Sequence, residues 1–416
     1  MNPPGREGNS GAGFPPPPAM LDSAPGPLRE ERKPFAMAEE TVFTNARVVG
    51  PDSVVAGTVV VRGADIAAVE DGPARHASAL DLDGDYLIPG LVELHTDNLE
   101  KHVVPRPGVR WPTAAAAVAH DAQVVAAGIT TVFDALVVGD IRADSARRRD
   151  LVDMAETTSR AQAAGMLRAE HFLHMRCEVG CANLFELYQP FVDHPLVGLV
   201  SVMDHTPGQR QFTDDRQYRA YYKDKWGTTD AEMEAFIAGQ KEVAHRHAGP
   251  NRARVAALCR ARGLPLASHD DATEAHIDEA AGLGVALAEF PTTLGAARAA
   301  RARGLKVIAG APNLVRGGSH SGNISVQELA EAGLVDILSS DYMPVSLLHG
   351  AFLIAGRGHA SLPAAIAAVS LTPARAAGLD DRGEIAPGLA ADLVRVRIVE
   401  ALPLVRAVWR RGARIG

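Results

Sequence analysis

Leu87-Ile-Pro-Gly-Leu-Val-Glu-Leu-His95-Thr-Asp97-Asn-Leu-Glu-Lys101-His102-Val-Val-Pro105-Arg106-Pro107-Gly-Val-Arg110-Trp-Pro112 is the stretch on which the reading of this chain turns. It starts apolar, crosses a Pro89-Gly90 turn and continues as a short strand. His95 and Asp97 sit two residues apart. On a strand such residues point to the same side, so both can reach one ion. Prolines and the cations Lys101, His102, Arg106 and Arg110 follow. A metal-ligand pair running into a basic loop predicts an anionic substrate held beside a metal.

Beyond it, short apolar runs alternate with Ala-rich helical segments. Leu91–His95, Ile129–Leu136, His171–Val179, Leu199–His205, Leu264–His269, Val285–Phe290, Lys306–Ala311 and Asp336–Ser340 read as eight strands. Ala143–Ala164 and Ala253–Gly263 carry helical periodicity between them. Eight β-then-α units predict an α/β protein built on a (β/α)8 TIM barrel over residues 89–379. A doubly wound open sheet is the alternative, but no Gly-x-Gly-x-x-Gly follows a first strand.

Both flanks read differently. Thr41 to Ile88 breaks into short alternating runs punctuated by Gly and Asp, and the style returns at Ala391–Val396 and Val405–Trp409. This predicts a small β-sandwich domain made from 37–88 and 380–416. Residues 1–36 are rich in Pro and Gly, with Pro15 to Pro18 consecutive. They read as a disordered extension, or as sequence upstream of a true start at Met37. Within the barrel, 212–250 is too long for an ordinary loop and holds Tyr218, Tyr221, Tyr222, Lys223, Lys225 and Trp226. It reads as a lid over the site or as a surface helical hairpin.

Composition narrows the classes. The 416 residues are 47% hydrophobic, ample for a large core. A net charge of −8 argues against general nucleic-acid binding. No apolar run approaches the roughly 20 residues that span a bilayer, so the expectation is a soluble protein without a membrane partner. The three cysteines, Cys177, Cys181 and Cys259, fit a reducing cytoplasm rather than a disulfide framework. No second Cys pair completes a zinc knuckle.

Polar residues collect where the predicted strands end: His95 and Asp97, Arg176 and Glu178, Asp204 and His205, Ser268-His269-Asp270-Asp271, Glu289, Asn313, and Asp341. Barrel enzymes place their chemistry at this face. Each ending alone has a bland reading as a hydrogen-bonded structural residue, and the whole set could be a polar barrel rim. Lys101, His102, Arg106, Arg110, Arg210, Arg316 and His320 are the candidate anion-binding residues, Arg being suited because its planar fork pairs two oxygens at once. The Gly317-Gly318 and Ser319–Asn323 run could bring backbone N–H groups to phosphate oxygens.

Pro89-Gly90-Leu91-Val92-Glu93-Leu94-His95 opening a barrel between two β-rich ends resembles the amidohydrolase superfamily. His95-Thr-Asp-Asn-Leu-Glu-Lys-His102, Pro105-Arg-Pro107, Trp111-Pro112, Arg176-Cys-Glu178, Met203-Asp-His-Thr-Pro-Gly-Gln-Arg-Gln-Phe212 and Ser268-His-Asp-Asp-Ala-Thr273 narrow the resemblance to its sugar-triphosphate-cleaving branch in carbon–phosphorus lyase pathways. The resemblance covers Thr41 to the C-terminus. It implies one or two divalent ions, of zinc, manganese or iron, that activate water. It also implies hydrolysis of α-D-ribose 1-methylphosphonate 5-triphosphate to the 5-phosphate and pyrophosphate. The implied metal ligands are His95, Asp97, Glu178, His205, His269 and Asp341, with Asp341 also the catalytic proton acceptor. The superfamily's opening His-x-His is His95-x-Asp97 here, and no Lys ends a middle strand, so Glu178 takes the bridging place. Implied partners are the small-molecule triphosphate and a functional link to carbon–phosphorus lyase enzymes. A homodimer is the oligomer to expect, dimers being commonest. The alternatives are an amidohydrolase or deaminase acting on a cyclic amide or amino-purine, for which the basic loop has no use, and a non-catalytic scaffold, which would have no use for the ligands.

Overall fold

The computed structural model describes residues 40–74, 76, 78–139, 147–210, 229–319 and 322–416. Two sheets organise them. The first uses both ends of the chain: β1 (Glu40–Val49), β2 (Val54–Arg62), β3 (Asp65–Asp71), β4 (Leu80–Asp81) and β5 (Tyr86–Pro89) come from the start. After eight intervening strands, the chain returns to this sheet as β14 (Leu393–Val399), β15 (Leu402–Arg410) and β16 (Ala413–Arg414). The order is β16-β15-β14-β5-β1-β2-β3, with β4 beside β1. Phe43 packs edge-on to Trp409, centroids 4.8 Å apart, tying β1 to β15.

The second sheet is parallel throughout: β6 (Leu91–Thr96), β7 (Ile129–Val138), β8 (Glu170–Glu178), β9 (Val197–Met203), β10 (Leu266–His269), β11 (Leu287–Glu289), β12 (Lys306–Gly310) and β13 (Ile337–Ser339), each paired with the next in sequence. All eight predicted strands are present. Their near-continuous burial is what a sheet covered on both faces demands. The ring closes where β6 meets β13: Thr96 bridges Asp341 in parallel, and the Asp341 N–H donates to the His95 carbonyl at 3.1 Å. Glu93, wholly buried, staples this seam by accepting from Ser339 Oγ at 2.7 Å and Ser340 N–H at 2.6 Å. This is a (β/α)8 barrel.

Gly90 joins the two sheets. A Cβ there would lie 2.3 Å from Thr130 Oγ1, so only glycine allows the backbone to pass. Its N–H donates to the Asp392 carbonyl at 2.8 Å, fixing the start of β14 to the start of the barrel's first strand.

The helix Asp230–Arg262 joins what the sequence reading kept apart. It runs 33 residues, through Pro250, from a Thr229/Glu232 capping box to Gly263 in the left-handed region. The described part of the 212–250 segment is thus an N-terminal extension of a barrel helix, about 1.5 Å per residue long. The tyrosines, lysines and tryptophan cited for a lid lie outside the described residues. Among described residues, no helix is long and apolar enough to cross a membrane. Cys177, Cys181 and Cys259 are all buried.

Charged groups also sit between barrel and helices. Asp134 on β7 accepts from His171 Nδ1 at 2.8 Å, and Asp121 takes the Arg168 guanidinium at 2.9 Å and two backbone N–H groups. Burial opposes charge on His171, yet Asp134 and Asp121 raise its imidazole to about 9. A histidine with a raised folded pKa stabilises the fold fully below its ordinary value of 6.5, and that contribution fades as pH climbs through about 9. The stability gap between wild type and His171→Gln should therefore be widest below pH 6.5 and shrink across that window. Urea unfolding at several pH values measures it, and a gap that stays constant or widens with pH would contradict the charged imidazole.

Candidate active site

The barrel strands deliver imidazoles and carboxylates to one mouth. His95 is buried at the end of β6, and its Nδ1–H donates to Glu289 Oε1 at 3.0 Å, which leaves Nε2 with its lone pair. Burial, then Arg176 and His269, push the His95 pKa well below the usual value, so the ring is neutral. On β8, His174, Arg176 and Glu178 alternate and share a face. His174 donates to the Leu94 carbonyl at 3.0 Å through Nδ1, and burial lowers its pKa to about 3.

His205 follows β9. Glu178 holds it with both oxygens, accepting from its backbone N–H at 2.9 Å and from Nδ1 at 2.7 Å. His205 Nε2 lies 3.5 Å from Asp270 Oδ2. Burial disfavours charge on His205, but Glu178 and Asp270 raise it to about 10. This is the place where the carboxylates call for positive charge. His269 ends β10, with its ring centroid 5.5 Å from that of His95 and 5.8 Å from that of His205. Phe290 walls the rings, 5.0 Å from His95 and 5.4 Å from His269.

Asp341 follows β13 directly beside His95. Burial first, then the charge of Asp97, push its carboxyl up to about 7. Asp270, Phe290 and Asp341 each take φ of 50–57° just past a strand end. Left-handed backbone at non-glycine positions costs energy and gathers at functional sites.

Among the described residues, five buried polar atoms in this region form no hydrogen bond: Asp97 Oδ1, Arg176 Nε, His269 Nδ1 (3.0 Å from Asp270 Oδ2), Glu289 Oε2 and Ser340 Oγ. Orphaned acceptors amid surplus negative charge are what a cation site looks like before its cation is added. His95, His174 and Glu289 form one group with metal-ligand spacing, and His205, His269 and Asp270 form another. The residues present fit a divalent ion.

His95, His205, His269 and Asp341 thus come to one mouth. Asp97 does so by a different route. β6 ends at Thr96, and Asp97 caps the helix Asn98–Val103, so it does not share a strand face with His95. Its N–H donates to the Asp341 carbonyl at 3.3 Å instead. Glu178 spends both oxygens on His205. Glu289, His174, Arg176 and Asp270 were not assigned from sequence. For His174 and Arg176 the signal was period-two spacing with Glu178; Asp270 could not be told from Asp271.

The anion-binding candidates divide. Lys101 Nζ donates to the Tyr342 carbonyl and sits 4.8 Å over that ring, beside Asp341. His102 Nε2 donates to Gln123 at 2.9 Å. Arg106 is exposed in a tight Arg106–Val109 bridge, and Arg316 is exposed at the end of helix Ala311–Arg316. Arg110 pairs with Asp150 and with Asp153, the latter at 2.7 Å. Arg210 corrects the sequence reading: it is only 4% exposed, bound to Asp271 and, at 3.2 Å, to Glu279, so its guanidinium serves the fold. His320 lies outside the described residues.

A closed parallel barrel whose mouth gathers imidazoles and buried carboxylates has the make-up of a hydrolase able to hold a divalent ion. The amidohydrolase family model matches residues 113–414, and the chain belongs to that family. It is 47% identical over 376 residues to the alpha-D-ribose 1-methylphosphonate 5-triphosphate diphosphatase of Escherichia coli (strain K12), spanning 90% of this chain and 100% of that one. Among solved structures, a Xaa-Pro dipeptidase with bound methionine superposes with a TM-score of 0.63 at 13% identity, covering 90% of this chain and 99% of that one. The 5-methylcytosine deaminase from Klebsiella pneumoniae, liganded with phosphonocytosine, gives 0.58 at 15%, covering 90% and 98%. At such identities these two likenesses are of fold alone.

Removing Arg210 leaves Asp271 buried without its cation. Arg210→Gln should lower stability by about 3–5 kcal/mol, whereas Arg316→Gln at the surface should stay within about 0.5 kcal/mol. Denaturant unfolding of the two variants compares them, and a small, equal effect would return Arg210 to the substrate-binding set.

Proposed function

We propose that this protein hydrolyses α-D-ribose 1-methylphosphonate 5-triphosphate to the 5-phosphate and pyrophosphate, in phosphonate catabolism. The observation that carries the proposal is 47% identity, over the whole of the relative, to a diphosphatase of that substrate. The mouth chemistry supports it. His95, Asp97, Glu178, His205, His269 and Asp341 form the proposed ligand field, with Glu178 acting through His205 and Asp270 completing that side. Zinc, manganese or iron, as one ion or two, suits mixed imidazole and carboxylate donors, and when bound brings the pKa of water into the neutral range.

The chain's own groups do the rest. Asp341, raised to about 7 by burial and then by Asp97, is placed to take the proton of the attacking water. The water oxygen bonds to the α-phosphorus as the bond to pyrophosphate breaks. Arg176, whose buried Nε has no partner, and Lys101 supply positive charge to the triphosphate oxygens. Exposed Arg106 and Arg316, with His102 and His320, are the outer contacts for the chain of phosphates. A cytoplasmic location, a homodimer and dependence on enzymes that build the triphosphate and cleave its carbon–phosphorus bond complete the reading.

Purified protein supplied with this triphosphate should release pyrophosphate and no ammonia, lose turnover on chelation and regain it with added metal. Ammonia release from cyclic amides or amino-purines instead would reject the proposal. In heavy-oxygen water the label should enter the sugar phosphate; label confined to pyrophosphate would move the attack to another phosphorus. Asp341→Asn should cut kcat about 10²–10⁴-fold at normal metal content, and unchanged turnover would remove Asp341 from proton transfer.

A further inference from the structure

The mouth is joined to the opposite side of the barrel wall by a buried line of polar side chains that the reaction does not use. Helix Asn98–Val103 begins right after Asp97 and is six residues long, too short to hold its shape alone. The Asp97 side chain makes no capping bond to it. Its placement depends on what it is fastened to. Asn98 is buried, and its amide nitrogen donates both to His120 Nδ1 at 3.0 Å and to Gln123 Oε1 at 2.9 Å. Gln123 Oε1 also accepts from His102 Nε2 at 2.9 Å. Both ends of the short helix are therefore tied to one face of helix Thr113–Ala126.

The line continues behind the sheet. With Nδ1 accepting, His120 carries its proton on Nε2 and donates it to Asp134 Oδ1 at 2.7 Å. Asp134 Oδ2 accepts from His171, whose other nitrogen lies 3.5 Å from Asp121, itself paired with Arg168. The protons on Asn98 Nδ2, His120 Nε2 and His171 Nδ1 each have one direction along this line, while His171 Nε2 makes no hydrogen bond. Two carboxylates face one imidazolium and one guanidinium, so the charges cancel. His120, Asp134 and His171 also have metal-ligand spacing. A cation there would need a lone pair at His120 Nε2, and that nitrogen is a donor. The cluster's charges balance without a metal.

We infer that Asn98 and His120 are positioning residues that hold Asp97 at the mouth by anchoring its helix to the Asp134–His171 pair behind the barrel. The inference rests on the proposed reading of Asp97 as a metal ligand. A ligand whose backbone is fixed loses less freedom on binding, and outer partners of metal ligands typically change affinity about 10–100-fold when removed.

The test is titration of metal-depleted, full-length protein with manganese, followed by water-proton relaxation. His120→Phe and Asn98→Ala should each weaken manganese binding about 10–100-fold. The double variant should be no weaker than the worse single, because both break one link. Circular dichroism confirms that each variant is folded, and if His120→Phe does not fold, Asn98→Ala carries the test. A purely structural role would lower the melting temperature and leave manganese affinity alone, which overturns the inference. Loss of one manganese per chain from His120→Phe at unchanged affinity would also overturn it, by revealing a metal at His120. Asp97→Asn separates the two layers. If it weakens binding and the positioning variants do not, only this inference falls; if it leaves binding unchanged, the ligand reading falls and takes the inference with it.

Discussion

The seam between β6 and β13 is the constraint on which the site depends. Strands 245 residues apart in sequence meet there, where Thr96 Oγ1 donates to the Asp341 carbonyl at 2.6 Å. Glu93 accepts from groups on both strands: the His95 N–H at 2.7 Å, the Ser339 hydroxyl and the Ser340 N–H. Glu93 is wholly buried, and burial raises its pKa to about 7 even so. Without this closure His95 and Asp341 would stand at opposite edges of an open sheet. With it they are neighbours, and the remaining strand ends are carried round to them by the ring.

A dry mouth lined with acids sets the second condition. Glu178, Asp270 and Glu289 are spent against imidazoles, and their pairing fixes which ring nitrogen is left to act. The same carboxylates that orient His95 and His205 add negative charge that Arg176 and Lys101 do not balance alone. Burying carboxylates without partners is costly. The arrangement makes sense as one built to receive a cation, and the strained backbone at Asp270, Phe290 and Asp341 as what it costs to aim side chains there.

Much of this was legible in the sequence because parallel strands buried on both faces write long apolar runs, and polar residues then mark their ends. Leu91–His95 and its successors were found that way. Other features left no such mark. Pro250 breaks helical expectation locally, yet the helix passes through it, since a long packed helix tolerates one lost hydrogen bond. Arg210 reads as a free cation until Asp271 is seen against it. Asp97 and Glu178 show the same limit from another side: spacing tells which residues can converge, while hydrogen bonding decides what each does on arrival.

The most direct test of the account is anomalous diffraction from crystals grown with manganese or zinc, collected across the metal's absorption edge. The account predicts a peak inside the barrel mouth, within about 2.0–2.3 Å of a ring nitrogen of His95, His205 or His269 and of a carboxylate oxygen. A peak seated instead among His120, Asp134 and His171, or a mouth that stays dark while active protein carries stoichiometric metal, would contradict it.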